Sequence, residues 1–200
     1  MVWLIFAVLL WGLIHSLLAS MKAKELVRRW LGDRARRFYR LGYNVFASIS
    51  FLPVLYLMFI VPDHGLYLVP LPWSGLMVLG ELLSVAALVV GLHQTDAREF
   101  LGFRQPGESD KPSRLTNSGL YHYVRHPLYT AGLAFIWLMP LMTVNVLAIN
   151  IALTAYVFVG ATFEERKLRF EFGQKYVDYI STTPMFIPFL KGNKSPRESS

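Results

Sequence analysis

Apolar residues in this chain are bunched into long runs separated by strongly polar stretches. The first run, Met1 to Ser20, carries no charged side chain, and a bilayer core takes about 20 residues of helix. A second run covers 41–62 and a third 71–92, the latter interrupted once by Glu81. The fourth apolar region, 128–163, is too long for one crossing: at ~1.5 Å per residue it would overshoot a core of ~30 Å by a wide margin. Pro140 and the polar Thr143-Val144-Asn145 predict a fold-back inside it. The expectation is an all-α, polytopic membrane protein with a single domain over 1–200. Its five transmembrane helices are placed at about 1–20, 41–62, 71–92, 128–143 and 146–163, the last two as a tight hairpin, with a cytoplasmic tail over 164–200.

Charge gives this layout a direction. All twenty basic residues fall into three groups, Lys22 to Arg40, Arg98 to Arg125 and Arg166 to Arg197, which five crossings put on one face. The opposite face offers Asp63 and His64. The positive-inside rule then predicts the N-terminus outside and the C-terminus in the cytoplasm. It also accounts for the net charge of +7 through contact with anionic membrane lipid, so no nucleic acid is expected. The first run lacks a basic leader and is followed by positive residues, which favours a retained anchor over a cleaved signal. A composition 54% hydrophobic and 16% charged excludes an ordinary soluble domain. With no cysteine there is no disulfide, thiolate metal site or cysteine nucleophile, and no metal site is expected.

Candidate chemistry concentrates in Gly119-Leu-Tyr121-His-Tyr-Val-Arg125-His126-Pro127-Leu-Tyr129. Pro127 suits the first position of a helix, where a missing N–H costs nothing. A turn near Asn145 lies midway between His126 and Glu164, so equal helical rises bring the Arg125-His126 pair and the Glu164-Glu165 pair to the same depth. That juxtaposition is either an interfacial salt-bridge network or a polar ligand pocket at the edge of lipid. Phe172, Tyr176 and Tyr179 recur at helical spacing, forming an aromatic face that lies on the membrane or closes over a flat ring. Elsewhere, His15 sits just inside the cytoplasmic boundary at the depth of Tyr43 and Asn44. It either bonds Asn44 or a backbone group of the neighbouring helix, or faces a substrate. Glu81 is a carboxylate within a span, which is costly and marks either a hydrogen-bonded carboxyl or a site reached by a lipophilic substrate. The loop from His93 to Tyr123, which includes Arg104, is long enough to fold over a site.

The ordered combination Gly119-x-Tyr121-x-x-x-Arg125-His126-Pro127-x-Tyr129, a helical hairpin, Glu164-Glu165-x-x-Leu168, Phe172-Gly173-x-x-Tyr176-x-x-Tyr179 and a terminal Pro184-x-Phe186-Ile-Pro188 resembles the integral-membrane methyltransferases. These include isoprenylcysteine carboxyl methyltransferase and the phospholipid N-methyltransferases. The amino-terminal half is similar to a narrower set. His15-Ser16-x-x-Ala19, the basic stretch and Thr95-Asp96 through Phe100-x-Gly102-x-Arg104-Gln105 look like the bacterial methanethiol S-methyltransferases and the related NnrU-like proteins. The NnrU-like pattern carries a histidine in the helix after Arg-His-Pro, whereas Leu133 to Leu141 here has Trp137 and no histidine, which favours the methyltransferase side.

The resemblance implies S-adenosylmethionine bound on the cytoplasmic side of a bacterial inner membrane. Gly119, Tyr121, Arg125, His126, Pro127, Tyr129, Glu164, Glu165 and Tyr176 would form the cofactor site. Arg125 would pair with the methionyl carboxylate as a guanidinium fork, a glutamate with the ammonium or ribose, and tyrosines with the sulfonium or adenine. Arg125, His126 and Glu165 would be the catalytic set, with His126 or Glu165 taking the proton where the acceptor is an amine. His15, Asn44, Glu81 and Arg104 would face a small thiol or lipophilic acceptor of the prenylcysteine kind. Three other classes share part of the pattern. One is an NADPH-dependent membrane reductase of the sterol type. Another is a haem-binding NnrU-like protein or isomerase with His15 and His126 as axial ligands. The third is a non-enzymatic membrane scaffold.

Overall fold

The structure is a computed structural model that describes residues 2–95 and 115–190. The stretch from Asp96 to Arg114, and with it Arg104, lies outside the described residues. Helix α1 (Val2–Ala19) ends at Ser20, whose hydroxyl accepts from Ala23 N at 3.2 Å and caps helix α2 (Met21–Ile60). The axis of α2 breaks at Gly32, where φ is 71° and a side chain would be strained. The break falls within the polar stretch that links α1 to the apolar span Leu41–Ile60. Helix α3 (Trp73–Gln94) follows a short strand β1 (Gly65–Leu68). A four-residue helix α4 (Leu120–Tyr123), helix α5 (Pro127–Trp137), strand β2 (Leu141–Thr143), helix α6 (Val144–Phe172) and helix α7 (Gln174–Thr182) complete the fold.

Four of these helices are long and apolar enough to cross a membrane: Val2–Ala19, Leu41–Ile60, Trp73–Gln94 and Val144–Phe172. Most of their large apolar side chains point outward, Phe59 and Leu83 among them, the reverse of a soluble core and the pattern of an integral membrane protein. The buried centre is small and forms where α1, α2 and α6 meet, with Leu4, Val8, Val54, Ile149 and Ala152 in contact.

The expected helix over 128–143 is not observed at that length. α5 stops at Trp137 and is about 16 Å long at ~1.5 Å per residue, roughly half a bilayer core. Pro140 is the physical reason: it has no N–H to donate and steers the residue before it out of helical backbone. Pro140 O instead accepts from Val69 N at 2.9 Å. Residues 141–143 pair antiparallel with β1, Leu141 opposite Leu68 and Thr143 opposite Gly65. Segment 127–143 therefore still runs between the two ends of the bundle, as a half-length helix followed by a strand. α5 also does not lie mainly on α6 as a tight hairpin partner. It packs along α3, where Gly80 and Gly91, about three turns apart, admit Leu138 and Leu128. A Cβ at either glycine would sit 2.7–2.8 Å from those leucines.

α6 begins two residues before the expected start and continues well past 163, so Glu164 and Glu165 lie within a helix rather than in a tail. The polar residues that marked the turn act as its caps. Thr143 Oγ1 accepts from Val146 N at 3.2 Å, and Asn145 Nδ2 donates to Val61 O at 3.0 Å. Asp63 Oδ1 accepts from His64 N at 2.9 Å and Asn145 N at 3.0 Å, so one carboxylate ties the end of α2 to the start of α6.

Asn145 is 1% exposed, so Asn145→Ala leaves the Val61 carbonyl buried without that donor. The expected cost is about 1–3 kcal/mol of stability, read as a lower midpoint in thermal unfolding of the detergent-solubilised protein.

Candidate active site

The Arg-His-Pro stretch is held from both sides by backbone. Gly119 opens α4 at φ 63°, and a Cβ there would fall 2.3 Å from the Gln94 amide, whose Oε1 accepts from Leu120 N at 2.8 Å. Gly119 thus serves the turn and the close approach of α3. After α4 the chain extends at Val124, and Arg125 N and His126 N donate to Pro184 O and Met185 O at 2.9 and 3.2 Å. Thr130 Oγ1 adds a bond to Phe186 O at 2.8 Å. Pro127 is the first residue of α5, as its ring predicts.

At the centre lies an ionic cluster. Arg125 Nε donates to Glu165 Oε1 at 2.7 Å, its Nη2 lies 2.6 Å from the same oxygen, and its Nη1 donates to Thr183 O. His126 Nε2 is 3.3 Å from Glu165 Oε1. All three residues are 9% exposed or less. Each nitrogen of the guanidinium already has a protein partner, so Arg125 joins α6 to the segment after α7. The neighbouring Glu164 sits about 100° further round the helix and has a different fate. Its side chain is 45% exposed, its Oε2 accepts from Tyr129 Oη at 2.8 Å, and His126 Nδ1 lies 3.9 Å away. The glutamate pair therefore splits into one buried strut and one carboxylate that faces a cavity.

That cavity has a volume of about 660 Å³. One wall is formed by Tyr121, Arg125, His126, Tyr129, Glu164, Leu168, Glu171, Phe172, Tyr176 and Tyr179; His15, Ala19, Tyr39, Tyr43 and Asn44 of α1 and α2 form the other, and Thr95, Leu115 and Thr116 close one side. The aromatic face turns inward instead of lying on the membrane. Gly173, at φ 55°, ends α6 and redirects the chain, so Phe172 and the two tyrosines reach the cavity from two helices. The Tyr179 hydroxyl donates to Tyr121 O, and the Tyr176 hydroxyl is buried without a hydrogen-bond partner among the described residues. Burial, reinforced by the Glu164 charge, pushes the Tyr121 phenol up to about 12. Burial beside Glu165 takes Tyr176 to about 12 as well, and burial raises Tyr179 further. These phenols are hydrogen-bond donors at neutral pH and no candidates for a base.

On the opposite wall the partner of His15 is Tyr43, not Asn44: Tyr43 Oη lies 2.5 Å from His15 Nε2. The imidazole stacks on Trp11, with ring centres 5.0 Å apart at 21°. Asn44 lines the same wall. Glu81 and Gly119 do not line this cavity, and Pro127 borders instead an apolar groove between α3 and α5. Gln94 falls in the loop His93 to Tyr123, and Thr183 directly precedes the terminal motif that begins at Pro184. Their roles depend on one side-chain amide and one carbonyl meeting distant backbone and guanidinium groups, which no local pattern announces.

A family profile described as phospholipid methyltransferase matches residues 75–175. Methanethiol S-methyltransferase 1 of Bradyrhizobium diazoefficiens is 29% identical over 193 residues, 91% of this chain and 65% of that protein. The methanethiol S-methyltransferase of Mycobacterium tuberculosis is 29% identical over 182 residues, 88% of this chain and 72% of the relative. Protein-S-isoprenylcysteine O-methyltransferase of Mus musculus is 32% identical over 124 residues, covering 60% of this chain and 41% of that one. The chain spans 65% of the length of the first of these relatives and 50% of methanethiol S-methyltransferase 2 of the same Bradyrhizobium. No solved structure matches it significantly.

Removing one partner of the buried pair strips the other of its nearest counter-charge; without Arg125, Glu165 keeps His126 Nε2 at 3.3 Å and the half-exposed Arg169 Nη2 at 3.8 Å. Arg125→Met and Glu165→Leu are each expected to cost about 3–5 kcal/mol, and the double variant less than the sum. A double-mutant cycle by thermal unfolding measures both.

Proposed function

The chain belongs to the phospholipid methyltransferase family, and from that premise we propose that it is a membrane-embedded methyltransferase moving a methyl group from S-adenosylmethionine to a small thiol. The observation that carries this reading is the two-sided cavity, with carboxylates among aromatic rings on one wall and an imidazole with phenols on the other. The volume of about 660 Å³ lies within the range of small-molecule sites. Glu164 suits the ammonium or the ribose hydroxyls. Tyr121, Tyr176 and Tyr179 suit a sulfonium or a purine, and the Tyr176 hydroxyl is an unspent donor. The fit differs from the expectation at one point. Arg125, already joined to Glu165 and Thr183, is a positioning strut rather than the fork for the methionyl carboxylate.

The bound cofactor supplies a methyl group made electrophilic by its sulfonium sulfur. The residues of the chain contribute position and dryness: the tyrosines and Phe172 exclude water, and Glu164 fixes one end of the donor. A thiol acceptor is supported by the alignments with the methanethiol S-methyltransferases. One such alignment, at 29% identity, extends over 91% of the chain. The positive-inside rule, applied to the three groups of basic residues in the sequence, supports a cytoplasmic site. The run of segment 127–143 from one end of the bundle to the other supports a five-crossing topology with the N-terminus outside.

The test is calorimetric binding of S-adenosylhomocysteine to the solubilised protein, with NADPH as the comparison, followed by transfer of a labelled methyl group to methanethiol or to a prenylated cysteine. Binding of the first nucleoside alone, with methylation of methanethiol, is the expected outcome. Retention of NADPH, or no transfer to any thiol, would overturn the reading. Glu164→Gln is expected to weaken S-adenosylhomocysteine binding by about 10–100-fold, the worth of a hydrogen bond to a charged group, with little change in unfolding temperature. Unchanged affinity would remove Glu164 from the site.

A further inference from the structure

The wall opposite the carboxylate carries a group that the cofactor does not need. His15 lines the cavity, and its Nδ1 is buried without a hydrogen-bond partner among the described residues. A buried polar atom left unpaired is costly, and such atoms are rare in folded proteins. The rest of the ring is tightly held. Trp11 stacks on one face, Tyr43 Oη meets Nε2 at 2.5 Å, and the same hydroxyl is within 3.5 Å of the His15 carbonyl oxygen. The 2.5 Å contact admits Nε2–H donating to the phenol oxygen, the tautomer that leaves on Nδ1 a lone pair instead of an orphaned N–H. The titratable groups facing the ring are phenols: Tyr43 from α2 and Tyr156 from α6, whose ring centre is 6.2 Å away. Among the described residues no carboxylate or cation lines this wall.

We propose that His15 Nδ1, with its tautomer set by Tyr43, takes the proton of a neutral thiol acceptor as the methyl group is transferred. The inference rests on the methyltransferase reading above and adds to it the group that ionises the acceptor. The new bond joins the thiol sulfur to the methyl carbon as the S–H proton passes to Nδ1. The bond between that carbon and the sulfonium sulfur breaks, and its electron pair stays on the departing sulfur as a neutral thioether. The proton leaves His15 for solvent through the cavity before the next turnover. An acceptor that arrives neutral gains from such a base, whereas one already ionised gains little.

This difference is the test. The full chain in detergent or nanodiscs is assayed with ethanethiol, neutral at pH 7, and with thiophenol, largely ionised there, alongside S-adenosylhomocysteine affinity. For His15→Gln we expect a loss of about 100-fold or more in kcat with ethanethiol. With thiophenol the loss should be less than about threefold, because an ionised acceptor needs no base, and nucleoside affinity should be unchanged. Tyr43→Phe keeps the ring packing and is expected to show the same selectivity with a smaller loss. Equal losses on both thiols, or none, would overturn the role of His15. If His15→Gln no longer binds the nucleoside, Tyr43→Phe decides, and no selectivity there also overturns it. A wild-type protein that neither binds the nucleoside nor methylates either thiol sinks the methyltransferase reading itself. Strong nucleoside binding with thiol-independent losses sinks only the inference about His15.

Discussion

Arg125 and Glu165 are forty residues apart in sequence, and their ion pair is the contact through which the site is assembled. The arginine leaves the short extended link between α4 and α5, the glutamate projects from the C-terminal third of α6, and Thr183 O comes from the segment after α7. A pair buried to this degree has lost its hydration, so it must be matched by good geometry and further hydrogen bonds. Thr183 O, His126 Nε2 and the backbone bonds from residues 125 and 126 to residues 184 and 185 provide that match. The cluster holds the cavity wall in one arrangement because none of its members can leave without stranding another.

Once Glu165 is committed to the strut, the adjacent Glu164 is turned by the helix toward the cavity, and with it goes the chemical asymmetry of the site. The wall built by residues 121–179 carries carboxylates and rings. The wall built by α1 and α2 carries one imidazole, phenols and an amide. In the methyl transfer proposed above, a cationic donor suits the first wall and a neutral acceptor the second, and holding the two in position would do most of the work.

The membrane shapes the rest. Because lipid solvates apolar side chains, the outward faces of α1, α2 and α3 need no partner, and helices are held by a few small-residue contacts and polar links. Gly80 and Gly91 let α5 lie along α3; Asn150 Nδ2 to Ile136 O and Trp137 Nε1 to Thr154 Oγ1 join α5 to α6. The shortness of α5 is tolerated because the strand that follows pairs its backbone groups with β1.

Length and hydropathy of each run were enough to place the four long apolar spans, since the requirement for about 20 apolar residues acts locally, but not the charged extensions of α2 before 41 and of α6 beyond 163. The pairing of Arg125-His126 with Glu164-Glu165 was also legible, because a fold-back midway between them returns the chain to its starting depth. The end of α5 was not, since apolar 128–143 satisfies a helix and a helix-plus-strand equally until β1 supplies the partner. Nor was the division of labour between the two glutamates, which differ only by about 100° of rotation on one helix. The same holds for Tyr43 as the partner of His15, where adjacent residues 43 and 44 offered equal reach. In each case the local sequence allowed two states of similar cost, and contacts with residues tens of positions away decided between them.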